Sequence, residues 1–121
     1  MTTKSVTIGQ GFPRRVRLLQ AHEFRQVFNK PIKFYHPYVT FCVKINELDF
    51  SRLGVTIPRR NIRHAVDRNR IRRMIREGFR LHLSQLGHVD IVVQVKQGTE
   101  NCEKKALFKD LSLLWQEVAD F

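Results

Sequence analysis

The chain has 121 residues, enough for one compact domain and not two. Its 42% hydrophobic content excludes disorder throughout, and no stretch approaches the roughly 18 consecutive apolar residues a membrane-crossing helix needs. Lys and Arg number 22 against 11 acids, for a net charge of +11 and a pI near 10.5, so the expected partner is a polyanion.

In chain order, residues 1–17 carry the cluster Arg14-Arg15-x-Arg17 among glycines and a proline, and read as a mobile basic arm on a single domain spanning 1–121. From Ala21 to Asn29, Phe24, Val27 and Phe28 fall at i, i+3 and i+4, one face of a short helix that Pro31 ends. A short strand fits near Ile32–Tyr35. Tyr38 to Ile45 alternates, with Val39, Phe41, Val43 and Ile45 on one side, and predicts a half-buried strand. The turn residues Asn46-Glu47-Leu48-Asp49 then lead into Arg52–Ile57, closed by Pro58, and predict an antiparallel hairpin with the preceding strand. Asp67 stands as an N-cap or first-turn residue of a helix from Arg68 to about Leu86, ended by Gly87. Val89–Val95 is short and rich in β-branched residues, which predicts a strand central in the sheet. Leu107, Leu111, Leu114, Trp115 and Val118 mark a closing amphipathic helix. The sum is a sandwich of one sheet and covering helices.

Cys42 and Cys102 lie 60 positions apart with no CxxC or HxxxH spacing, so a zinc site is not expected. The opening MTTKSVTIGQGF holds no apolar run like a signal peptide, and the cysteine count suits a reducing, cytoplasmic compartment.

The positive charge is local. Residues 59–80 hold nine Arg and two acids and residues 1–30 six Lys/Arg and one acid, while residues 81–121 are slightly acidic. On a helical wheel Ile71, Met74, Ile75, Gly78 and Phe79 face the core. Arg68, Asn69, Arg72, Arg73, Arg76 and Arg80 share an arc of about 140° on the other side, and Arg70 points elsewhere. Repulsion between arginines at i, i+4 costs a few tenths of a kcal/mol per pair. An anion would relieve it, and guanidinium suits bidentate bonding to phosphate and stacking on bases.

The run Val66-Asp67-Arg68-Asn69-Arg70-Ile71-Arg72-Arg73-Met74-Ile75-Arg76-Glu77 follows Leu53-Gly54-Val55-Thr56-Ile57 and the basic pair Arg59-Arg60. Together with the basic arm, the Glu23–Phe28 helix, the Asp90–Val93 strand and the closing helix, it resembles the bacterial ribonuclease P protein component across nearly all the chain. The resemblance implies an α+β sandwich like the second domain of ribosomal protein S5. In it a mainly antiparallel four-stranded sheet would carry covering helices and a left-handed βαβ crossover. It also implies a cytoplasmic ribonucleoprotein endoribonuclease that removes 5′ leaders from precursor tRNA. The RNA subunit of that enzyme carries the catalysis and binds Mg2+, and the protein, monomeric within the complex, has no catalytic or metal-ligating residue of its own.

By position, Arg59, Arg60, Arg68, Asn69, Arg70, Arg72, Arg73 and Arg76 are implied to bind the ribonuclease P RNA, and Phe24, Phe28 and Phe41 to line a cleft for the precursor-tRNA leader. The residues themselves leave open whether Phe24, Val27 and Phe28 line a cleft or simply pack a core. Ala21, Asn29-Lys30-Pro31 and Thr56-Ile57-Pro58 depart from the family pattern, which bears on loop geometry.

Other classes fit less well. A self-sufficient nuclease needs convergent carboxylates or a His/Lys pair around the phosphate, whereas His22, His36, His64, His82 and His88 are scattered. In a helix-turn-helix DNA-binding protein a first helix closely precedes the recognition helix, and here a strand and loop do; neither DNA nor a membrane is an expected partner. A ribosomal or chaperone-like RNA-binding protein would need the same phosphate neutralisation, and the sequence does not separate it from the first reading.

Overall fold

The structure is a computed structural model that describes residues 16–18 and 20–121. Most of the expected basic arm, including Arg14 and Arg15, lies outside the described residues. The elements are α1 (Ala21–Phe28), β1 (Ile32–Tyr35), β2 (Val39–Ile45), β3 (Arg52–Thr56), α2 (Ala65–Leu86), β4 (Val89–Val95) and α3 (Lys104–Ala119), with a 3-10 turn at Thr99–Asn101.

The four strands form one mixed sheet in the order β1-β2-β4-β3. β1 and β4 flank β2 antiparallel, while β3 pairs with β4 parallel, in register from Arg52 opposite Asp90 to Thr56 opposite Gln94. The antiparallel hairpin expected between the second and third strands is therefore not formed. The chain does reverse after β2, but the polar groups of the connection bind the segment that opens β4. The Asn46 N–H donates to the His88 carbonyl at 2.9 Å, Asn46 Nδ2 to Asp90 at 2.8 Å, and Ser51 Oγ to the Gly87 carbonyl at 2.8 Å. β4 takes the place between them because Ile91, Val92 and Val93 are apolar on both faces, as a central strand requires. β3-α2-β4 is the crossover unit.

Alternation along β2 sends Val39, Phe41 and Val43 to one face, where α2 and α3 cover them with Ile71, Ile75, Phe79, Leu111, Leu114 and Trp115. The other face is covered as well. Cys42 and Val92 pack there with Val27 of α1, Leu18 and the half-buried Phe24. β2 is thus buried on both sides from Val39 to Val43 and not the half-buried strand its alternation suggested.

Two glycines make these layers close. A Cβ on Gly78 would stand 2.3 Å from Trp115 Nε1, so the absent side chain lets the α3 indole press on α2, and one on Gly54 would stand 2.6 Å from the Phe24 ring. α2 begins at Ala65, earlier than its periodicity implied, with His64 as N-cap and Asp67 in the first turn.

Candidate RNA interface

The approach to α2 is rigidly built although its side chains are mostly exposed. Pro58 accepts at its carbonyl from the N–H groups of Asn61 and Ile62, Ile62 is buried, and Asn61 Nδ2 donates to the Val95 carbonyl at 3.0 Å. This tight turn leaves Arg59, Arg60 and Arg63 exposed on its outside.

The arginines of α2 take different directions. Arg68 folds back, its Nη1 donating to the carbonyls of Ile62 at 3.0 Å and Arg63 at 2.9 Å, so it braces the turn. Arg70 points away from the strip, lies 3.7 Å from Asp67 and reaches the Glu100 carbonyl in the 3-10 turn. Arg80 is paired with Glu77, Nε to Oε1 at 2.9 Å, which holds the Glu77 carboxyl below its ordinary value. Asn69, Arg72, Arg73 and Arg76 remain on the outer face, Arg73 exposed and Arg72 in a long 3.4 Å contact with Asn69 Oδ1.

One member came from outside the helix. Arg17 runs beside β3, bridged to Leu53, and the Leu18 N–H donates to the Leu53 carbonyl at 2.8 Å. Burial pushes the Arg76 guanidinium below its ordinary pKa, and the positive charges of Arg17 and Arg72 push it further. Cations gathered this closely raise the local potential for an anion. The signal for Arg17 was the Arg14-Arg15-x-Arg17 cluster, which only the pairing with β3 carries to α2.

The three phenylalanines separate. Phe41 is fully buried on the α2/α3 face, its ring centroid 4.7 Å from that of Trp115, so it is a core residue on the side of the sheet away from α1 and cannot line a cleft there. Phe24 fills the space over Gly54 and joins the smaller core. Phe28 alone is on the surface, at 40% exposure.

Across the α1 face the sheet residues lie in rows. Helix α1 sits over Cys42 and Val92, tied at its start by Glu23 to Arg52 and at its end by Lys44 Nζ to the Asn29 carbonyl. The next row is Tyr35, Thr40, Gln94 and Thr56 in successive register, with Thr40 buried and Gln94 and Thr56 half-buried. Tyr35 is 68% exposed. It was missed in the sequence because a four-residue edge strand shows little periodicity; the aromatic pair Phe34-Tyr35 was the available sign. Lys33 stands one row away beside Cys42, whose thiol is pushed up by burial and slightly down by Lys33.

Among the described residues no three His, Cys, Asp or Glu side chains gather as a metal site. The carboxylates of α2, Asp67 and Glu77, are engaged by Arg70 and Arg80. Paired in this way, those two carboxylates do not fit a protein-held Mg2+.

A parallel crossover that presents an arginine-rich helix, beside a sheet face with an exposed aromatic, is the architecture of an RNA-binding α+β protein. The family model described as Ribonuclease P matches residues 12–119. The ribonuclease P protein component of Histophilus somni is 41% identical over 106 residues, covering 88% of this chain and 89% of that protein. That of Yersinia enterocolitica is 40% identical over 105 residues, covering 87% and 88%. The solved Staphylococcus aureus RNase P protein superposes with a TM-score of 0.78 at 25% identity, over 84% of this chain and 94% of that one. The chain belongs to the bacterial ribonuclease P protein family.

Proposed function

We propose that the chain is the protein subunit of a ribonuclease P ribonucleoprotein. It grips the RNA subunit through α2 and the turn before it, and receives the single-stranded 5′ leader of precursor tRNA across α1 and the β1 edge of the sheet at Tyr35. The enzyme removes the leader endonucleolytically in the cytoplasm. The RNA carries the catalysis and holds Mg2+, and the protein, one copy per complex, positions and neutralises.

The observation that carries the reading is the outer face of α2, where Arg72, Arg73 and Arg76 stand together and Arg17 is added from another segment. A face exposed only to solvent interleaves acids with bases; here the two carboxylates of α2, Asp67 and Glu77, are turned to Arg70 and Arg80. Arg59, Arg60 and Asn69 extend the same surface. Arg68 and Arg70 support it from inside, through the turn and the Glu100 carbonyl.

For the leader, Phe28 and Tyr35 replace the set Phe24, Phe28 and Phe41. Unstacked bases lie well on aromatic rings beside cations, and Lys33 and Lys44 supply the cations on this face. Stacking is worth about 1–3 kcal/mol per base. Phe28→Ala and Tyr35→Ala should each weaken binding of a long-leader precursor by about 5–150-fold and leave mature tRNA within about twofold. Equal losses on both RNAs, measured by filter binding, would remove the leader from this surface.

The deciding experiment is cleavage of a precursor tRNA by a bacterial ribonuclease P RNA at low Mg2+, with and without the chain. Stimulation only in the mixture is the expected result. No stimulation, with salt-sensitive RNA binding intact, would instead fit a ribosomal or chaperone-like RNA-binding protein.

A further inference from the structure

His36, first of the three residues linking β1 to β2, carries a cluster with no part in the RNA interface. His36 Nδ1 lies 2.5 Å from Asp110 Oδ1, and its Nε2 lies 3.0 Å from Glu117 Oε1. Asp110 and Glu117 are seven residues apart on α3, two turns along one face. Asp110 is 8% exposed, and its Oδ2 is buried with no hydrogen-bond partner.

A neutral imidazole has a single N–H and donates to a single acceptor, whereas the imidazolium donates from both nitrogens. Two carboxylates, one at each ring nitrogen, are therefore satisfied together only by charged His36. In the neutral form one carboxylate faces a lone pair. If that is Asp110, a buried charge is left without its donor, which is costly.

The turn itself is short and otherwise held through its backbone. The His36 N–H donates to the Val39 carbonyl at 3.1 Å, the Lys96 N–H and Thr99 Oγ1 to the Tyr38 carbonyl at 3.0 and 2.9 Å, and Lys96 Nζ to the His36 carbonyl. The His36 ring is the turn's side-chain bond to α3.

We propose that His36 is a proton-operated latch that fastens the β1–β2 turn to α3 when protonated and loosens it when neutral. The charged groups facing the ring are Asp110 and Glu117 from α3. Lys96, just beyond β4, presents its ammonium to the backbone carbonyl of His36. Cys102, after the 3-10 turn, lies within the field of Asp110 and of Arg70 from α2. Burial pulls the imidazolium pKa down, but the hydrogen bonds and charges of Asp110 and Glu117 outweigh it and leave it above the ordinary 6.5. A folded-state pKa raised in this way contributes stability that is complete below 6.5 and lost as pH rises through the folded value.

The test compares the full chain with His36→Gln by thermal unfolding between about pH 5.5 and 9, alongside an NMR titration of the His36 ring. The wild type should melt about 4 °C above the variant at the acid end and within about 1 °C of it at the alkaline end. His36 should titrate above 6.5, and Glu117→Gln, at a half-exposed position that tolerates change, should lower that value while the fold persists. Amide exchange at His36 and Lys96, corrected for its intrinsic base catalysis, should speed up over the same interval. A ring that titrates at or below 6.5, or a melting gap equal at both ends, overturns the latch.

Discussion

Replacing Arg73 and Arg76 together by Ala will lower affinity for ribonuclease P RNA by about 10²–10⁴-fold, because each removes a charge-assisted hydrogen bond worth roughly 1.5–3 kcal/mol. The log–log salt slope will fall by about two contacts' worth, near 0.7–0.9 per phosphate. The decisive comparison is Lys104→Ala with Lys105→Ala. These residues are exposed at the start of α3, and their removal deletes the same formal charge. If RNA senses only the net charge of +11, both double variants lose equally. If it sits on α2, the lysine pair loses less than about threefold. Arg73→Lys with Arg76→Lys should fall between, since lysine keeps the charge and loses the bidentate fork. Equilibrium binding at several salt concentrations measures all three, and equal losses for the arginine and lysine pairs would remove α2 from the interface.

How legible this surface was depends on how local its causes are. The α2 strip is periodic over three turns, and the wheel placed Arg72, Arg73 and Arg76 outward and Arg70 aside, as observed. The wheel did not show that Arg68 bends back to the carbonyls of Ile62 and Arg63, because that bond depends on a turn made by Pro58. The strand of Val89–Val95 was legible to the residue, since branched apolar residues without alternation mark a strand covered on both faces. The pairing of β3 was not. Turn residues at Asn46–Asp49 specify a reversal, whereas the partner is chosen by hydrogen bonds to Gly87, His88 and Asp90, about forty residues away.

Phe41 failed for a related reason. Alternation sorts β2 into two faces but does not say which one meets α1, and in a strand covered on both sides an aromatic on either face is buried. Its neighbour Thr40 and the cross-strand Tyr35 lie on the face that was wanted. The sequence alone thus supports an interface built on one helix better than one assembled from several strands.

The largest stability effect is expected at Arg52, where a buried charge network joins three elements. Its Nε and Nη2 hold both oxygens of Asp90 at 2.9 and 2.7 Å, and its Nη1 holds Glu23 of α1 at 2.9 Å. Asn46 Nδ2 adds a third donor to Asp90 at 2.8 Å, and the Asp90 side chain is only 8% exposed. Arg52→Met keeps most of the stem's packing but leaves Asp90 with the Asn46 amide alone against its charge. Breaking a buried pair from one side costs about 3–5 kcal/mol, chiefly the desolvation of the partner left behind. Glu23→Gln removes the other contact at a more exposed position, where Glu23 also receives the Gln20 N–H, and should cost no more than about 1 kcal/mol. If the penalty comes from stranded Asp90, then adding Asp90→Asn to Arg52→Met must recover part of it, because the uncompensated charge is gone. Urea unfolding of the three variants settles the point. A double variant as unstable as Arg52→Met alone would mean that Arg52 acts through its packing and its hold on α1, not by neutralising Asp90.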